Sequence, residues 1–137
     1  LNLNNIKDSE IVFYGESLGT VIAVDLAKEF NFSGIILESP FTSMVELAKK
    51  YYPYLPVKLV LKDKYETIRK LDQINSPILI MHGAKDTIVP FEMGLKIYET
   101  ANSPKYKYFN DYDDHMMDFN KDLVQSIKDF IKTIETN

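Results

Sequence analysis

Ile11-Val12-Phe13-Tyr14-Gly15-Glu16-Ser17-Leu18-Gly19-Thr20 is the stretch whose reading decides the fold. Ile11 to Tyr14 is an unbroken apolar run, and continuous rather than alternating apolarity predicts a strand buried on both faces. Thr20 to Phe30 follows at once, with Val21, Ile22, Val24, Leu26 and Ala27 on one helical face and Lys28-Glu29 on the other. A strand-to-helix turn this short forces its central residue, Ser17, into strained backbone geometry. Gly15 and Gly19 are read as removing side chains that would collide with the neighbouring strand and helix. Gly34-Ile35-Ile36-Leu37 repeats the apolar run and completes a strand-helix-strand crossover.

Outward from this unit the alternation continues. Pro77-Ile78-Leu79-Ile80-Met81 reads as a third strand and Tyr106-Lys107-Tyr108-Phe109 as a fourth. Between them Met93, Leu95, Ile97 and Tyr98 mark a helix over 91–101, stopped by Asn102-Ser103-Pro104. Leu123, Ile127, Phe130, Ile131 and Ile134 mark a closing helix over 118–134, with Asn120 or Asp118 as its cap. The stretch Thr42 to Asn75 is less regular and reads as two or three short helices, serving either as sheet covering or as an apolar lid. The expected class is α/β: a mostly parallel sheet of about four strands flanked by helices.

Composition narrows the function. With 137 residues the chain holds one core at most. Sixteen Lys and Arg against 20 Asp and Glu, with no basic stripe carrying interleaved aromatics, make nucleic acid an unexpected partner. The absence of cysteine excludes a disulfide framework, a thiolate metal site and a cysteine nucleophile. No apolar run reaches the roughly 18 residues of a membrane span, and the first residues lack the pattern of a secretory signal, so a cytoplasmic location is the default expectation.

Candidate chemistry centres on Ser17. At the start of a helix it has free backbone N–H groups beside it, that of Leu18 above all, pointing where an oxyanion would develop. The competing reading is an ordinary helix cap, since Ser is a favoured N-cap residue. A serine hydroxyl needs a base within hydrogen-bond reach, itself oriented by an acid. His115, in the polar loop Asp113-Asp114-His115-Met116 after the last strand, is the candidate base, and Asp86, in the loop after the third strand, the candidate acid. The order Ser, Asp, His is that of the α/β-hydrolase fold and of neither common serine-protease order. His82 is a rival base, but four residues from Asp86 it is read as too close to face that carboxylate across a site. It is expected to hydrogen-bond structurally. Asp111, Asp113 and Asp114 are rival acids read as holding the His115 loop or facing water. They lack the Gly and Glu spacing of a calcium loop, and no third Gly or Gly-Lys-Ser/Thr makes 15–19 a nucleotide loop. No metal or cofactor is expected.

Taken together, Tyr14-Gly15-Glu16-Ser17-Leu18-Gly19-Thr20, Glu38-Ser39-Pro40-Phe41-Thr42-Ser43, Pro77 to Gly83 with Asp86, Val89 and Pro90, and the His115 loop resemble the serine-hydrolase branch of the α/β-hydrolase superfamily that includes BEM46-like proteins and protein depalmitoylases. The resemblance covers nearly the whole chain. It implies the C-terminal half of that fold, with Ser17 as nucleophile, Asp86 as acid, His115 as base and Leu18 as one oxyanion donor. It also implies hydrolysis of an ester, thioester or amide in a small-molecule or acylated substrate.

Family members carry about four strands before the nucleophile, whereas here Leu1 to Glu10 alone precede the first strand. The chain is therefore expected to be a single, incomplete domain over 1–137. The strand Ile11 to Tyr14 is expected to present an unpaired edge, covered by a homo-oligomer or a complementing chain. The second oxyanion donor of such proteins comes from a loop after the third of those preceding strands, and lacking one donor costs about 10²- to 10³-fold in turnover. An inactive remnant acting as a binding or self-associating module is the competing expectation.

Overall fold

The computed structural model describes residues 6–57, 62 and 64–136. Four strands form one sheet in sequential order: β1 (Val12–Glu16), β2 (Gly34–Glu38), β3 (Ile78–Gly83) and β4 (Lys105–Asn110). Every neighbouring pair is parallel, with Tyr14 opposite Ile36, Ile36 opposite Leu79 and Leu79 opposite Tyr106. Every residue of β2 and β3 is buried, while β1 and β4 are only partly so. The unbroken apolar runs of the two central strands follow from that double-sided burial.

Parallel pairing requires a crossover between strands, and helices supply it: α1 (Gly19–Glu29), α3 (Phe91–Thr100) and the 3-10 helix Thr67–Gln73 cover one face. Their Ala23, Val24, Ala27, Leu71, Ile97 and Ala101 pack on Ile35, Leu37, Ile78 and Ile80. The other face is covered by α4 (Lys121–Glu135), whose Leu123 and Phe130, seven residues apart, meet Ile36, Leu79 and Met81. Asn120 caps α4, its side chain accepting the N–H groups of Asp122 and Leu123. No helix among the described residues is long and apolar enough to cross a membrane.

The irregular stretch divides by function. Leu71 and Ile74 belong to the core, so its second half is sheet covering. The first half forms α2 (Met44–Tyr51), capped by Ser43, with Met44 and Leu47 packed on Val21, Phe41 and Val89 near the strands' C-terminal ends. The expected helical segment 57–61 lies largely outside the described residues. Thr67–Gln73 is one of the expected short helices, wound as a 3-10 helix that buries Thr67 and Leu71.

Candidate active site

All four strands point their C-terminal ends the same way, and the loops leaving β1, β3 and β4 bring the three candidate residues together. Ser17 directly follows β1. Its φ is 49°, a left-handed conformation that costs a non-glycine residue about 1–3 kcal/mol and persists only where its surroundings over-determine it. Two of those constraints are visible. The Ser17 N–H donates to the Glu38 carbonyl at 2.9 Å, extending the β1–β2 ladder past the strand end. The Ser17 carbonyl accepts from the Thr20 N–H at 3.1 Å and the Thr20 hydroxyl at 2.6 Å.

Of the two flanking glycines only one is sterically required. A Cβ on Gly15 would lie 2.5 Å from the Gly19 carbonyl oxygen, whereas a Cβ on Gly19 would meet nothing within 4 Å. The paired-glycine expectation is corrected accordingly: α1 begins at Gly19 and leads away from the strand, so space at that position is open. Leu18 precedes the first turn of α1 in helical geometry, with φ −59° and ψ −31°. An N–H there has no intrahelical acceptor.

Asp86 lies in the loop after β3. The chain turns back on itself as the Asp86 N–H donates to the Gly83 carbonyl at 3.2 Å. One carboxylate oxygen of Asp86, Oδ1, accepts the N–H groups of Ile88 at 2.8 Å and Val89 at 2.7 Å. The other, Oδ2, faces His115 Nδ1 at 2.9 Å. The Asx-type turn and the site role thus coexist in one side chain. Burial pushes this carboxyl up, but the hydrogen bonds from His82, His115, Val89 and Ile88 outweigh it and hold Asp86 well below the usual carboxylate range.

His82 departs from expectation. It is wholly buried, and its Nε2 lies 3.1 Å from the Val89 carbonyl, the expected structural bond. The same Nε2 also stands 3.2 Å from Asp86 Oδ2. Four residues prove close enough because the 83–86 turn folds the carboxylate back over the ring. Both neighbours of Nε2 are acceptors, so that nitrogen carries the proton.

His115 completes the chain of contacts, with Nε2 2.9 Å from Ser17 Oγ. Because ionised Asp86 only accepts, Nδ1 holds the ring proton and Nε2 presents its lone pair to the serine hydroxyl. The loop carrying His115 is laced to the Asp86 loop: Lys85 N–H donates to the Asp113 carbonyl at 3.0 Å, and Thr87 N–H to the Asp114 carboxylate at 2.8 Å. The Asp114 carboxylate also accepts the His115 N–H at 2.7 Å, and its bonds to Thr87 and His115 lower its pKa. Asp113 and Asp114 hold the loop rather than orient the base. Gly83 makes the lacing possible, since a Cβ there would lie 2.2 Å from the Asp113 carbonyl oxygen.

Two residues beside these three carry contacts that no motif marks. Glu38, at the end of β2, is 2% exposed. It accepts the Met117 N–H at 3.1 Å and bonds the Tyr14 hydroxyl. Ser39 is fully buried with φ 47°, and its hydroxyl donates to the His115 carbonyl at 2.8 Å. A carboxylate closing an otherwise wholly apolar strand marks Glu38 as unusual but says nothing of its partners, and Ser39 carries no such signal. At the outer rim, the Tyr51 hydroxyl donates to the Thr87 carbonyl at 2.8 Å and ties α2 to the Asp86 loop. Leu18 and Met116, next in sequence to Ser17 and His115, and Ile88, two residues after Asp86, are exposed.

The sequence pattern of the prolyl oligopeptidase family matches residues 2–133. An uncharacterized protein of Mycobacterium tuberculosis is 34% identical over 102 residues, which are 74% of this chain and 36% of that protein. Human alpha/beta hydrolase domain-containing protein 17B is 36% identical over 103 residues, 72% of this chain and 33% of that protein. The chain spans about a third of the length of these relatives. In fold it is similar to an esterase of Rhodococcus sp., with a TM-score of 0.70 at 14% identity over 93% of this chain and 66% of that one. A parallel sheet flanked by helices, a family pattern along almost the full chain and these relatives agree: the chain belongs to the prolyl oligopeptidase family of α/β hydrolases.

Proposed function

We propose that this chain carries the catalytic machinery of a serine hydrolase acting on an ester, thioester or amide. The observation that carries the reading is the unbroken relay from Ser17 Oγ through His115 to Asp86, both links 2.9 Å long. His115 Nε2 takes the hydroxyl proton as Ser17 Oγ forms a bond to the substrate's acyl carbon. Charge then collects on the former carbonyl oxygen, and the Leu18 N–H donates to it. His115, now an imidazolium facing the Asp86 carboxylate, hands its proton to the leaving alcohol, thiol or amine as the bond to that group breaks. A water molecule, deprotonated by His115, attacks the acyl-enzyme and releases the acid, and Ser17 regains its proton. Asp86 stays ionised throughout, its charge held by four donors.

The exposed apolar rim of Leu18, Ile88 and Met116 favours an acyl or other apolar group on the substrate. A second oxyanion donor and a cover for the free side of β1, from a preceding segment, a second copy or a complementing chain, belong to the same reading.

The test is steady-state hydrolysis of a chromogenic ester by Ser17→Ala, His115→Ala and the double variant. A relay that works as a unit loses about as much activity in either single variant as in the double. Losses that add would place the chemistry on other groups.

A further inference from the structure

His115 stands on a loop without regular secondary structure, so something other than a helix or strand must fix its distance from Ser17. Asp86 orients the ring, and the Asp86 loop holds Asp113 and Asp114. On the opposite side, among the described residues, hydrogen bonds reach the loop from β2's last residue and its successor. The Ser39 hydroxyl holds the His115 carbonyl at 2.8 Å, and Glu38 holds the Met117 N–H at 3.1 Å, so the base is gripped at itself and two residues beyond. The carbonyl of that same Glu38 accepts the Ser17 N–H at 2.9 Å.

We propose that Glu38 and Ser39 are positioning residues that set the spacing between nucleophile and base. One dipeptide is tied to the backbone of Ser17 on one side and to the backbone around His115 on the other. Two features argue against mere packing. A carboxyl buried to 2% exposure in an apolar strand is retained against its desolvation, which an aliphatic side chain would avoid, and what it gains is the Met117 and Tyr14 bonds. Ser39 keeps a left-handed φ of 47° that glycine would adopt without strain, and what serine adds is the hydroxyl on His115. Ionised or protonated, Glu38 can accept the Met117 N–H, so its grip does not depend on its charge.

The proposal rests on Ser17 and His115 being nucleophile and base, and the test separates the two claims. Two readouts are taken on the folded chain: the rate of labelling by a fluorophosphonate, and the far-downfield proton NMR signal of the His115 Nδ1–H facing Asp86. Ser39→Ala and Ser39→Gly are each expected to slow labelling about tenfold and to broaden the Nδ1 signal. Ser39→Gly should melt above Ser39→Ala, since only the strain differs between them. Glu38→Leu should behave as Ser39→Ala does. Glu38→Gln should return to wild-type behaviour, its amide oxygen accepting from Met117 and its NH₂ meeting the Tyr14 oxygen. Wild-type labelling and an unchanged Nδ1 signal in both Ser39 variants would overturn the proposal even if Glu38→Leu fails to fold. If the wild-type chain takes no label, the nucleophile assignment fails, and the Nδ1 signal decides the positioning claim: lost in the Ser39 variants it stands, unchanged it falls.

Discussion

Asp86 distributes four donors over two oxygens, the Ile88 and Val89 amides on one and two imidazoles on the other. Its pKa is depressed on folding, so the linked stability is fully present above the unfolded carboxylate value of about 3.9 and is lost as pH falls towards the folded one. The gap in melting temperature between wild type and Asp86→Asn should therefore hold from pH 7 to about 5 and narrow below about 4. A gap independent of pH would mean that the carboxylate's charge does not contribute. Asn would also offer an amide to His115 and reverse the ring tautomer, lowering turnover by about 10⁴-fold if the chemistry runs as proposed. That Ser17, Asp86 and His115 come together was legible in the sequence, because each follows a readable strand and their order is distinctive. Glu38 and Ser39 were not, because their bonds reach partners 79 and 76 residues away, which no local pattern encodes. His82 makes the structural hydrogen bond expected of it, but its contact with Asp86 was not legible, since a separation of four residues says nothing about a turn that doubles back.

Among the elements, the β1–α1 turn makes the sharpest contrast. Gly15→Ala places a methyl 2.5 Å from the Gly19 carbonyl oxygen and 3.0 Å from Thr20 Cα, both backbone atoms that cannot rotate away. It should destabilise by about 1–3 kcal/mol or more, as overpacking does. Gly19→Ala meets open space at a helical position with negative φ and should be neutral or stabilise by about 0.4–1 kcal/mol. Urea unfolding of the two variants checks the contrast, and equal losses would contradict the turn geometry. The strands were legible because double-sided burial writes continuous apolar runs into β2 and β3; β2 runs on to Glu38, and β3 starts at Ile78 and runs on to Gly83. The segment between Thr42 and Asn75 was legible only in outline, since α2 buries Val45 alone and its remaining contacts are partial.

At the scale of the whole molecule, β1 pairs with β2 alone among the described residues, and no described strand lies along its far edge beside the half-buried Val12 and Phe13. Such an edge is a template for another strand. Size-exclusion chromatography with light scattering is expected to give a dimer, and a charge placed on the edge by Phe13→Lys should shift it towards monomer. A concentration-independent monomer would leave a preceding segment or a complementing chain as the cover. The fold class was legible from the alternation of strands and helices, whereas nothing in a single chain's pattern specifies what lies along its edge.

The central claim is that Ser17 is an activated nucleophile. It is tested most directly by exposing the folded chain to a fluorophosphonate and reading the intact mass, with Ser17→Ala as control. A single adduct on the wild type, absent from the variant and slowed in His115→Ala, is the predicted result. No adduct on chain shown by circular dichroism to be folded, or an adduct that persists in Ser17→Ala, would contradict it.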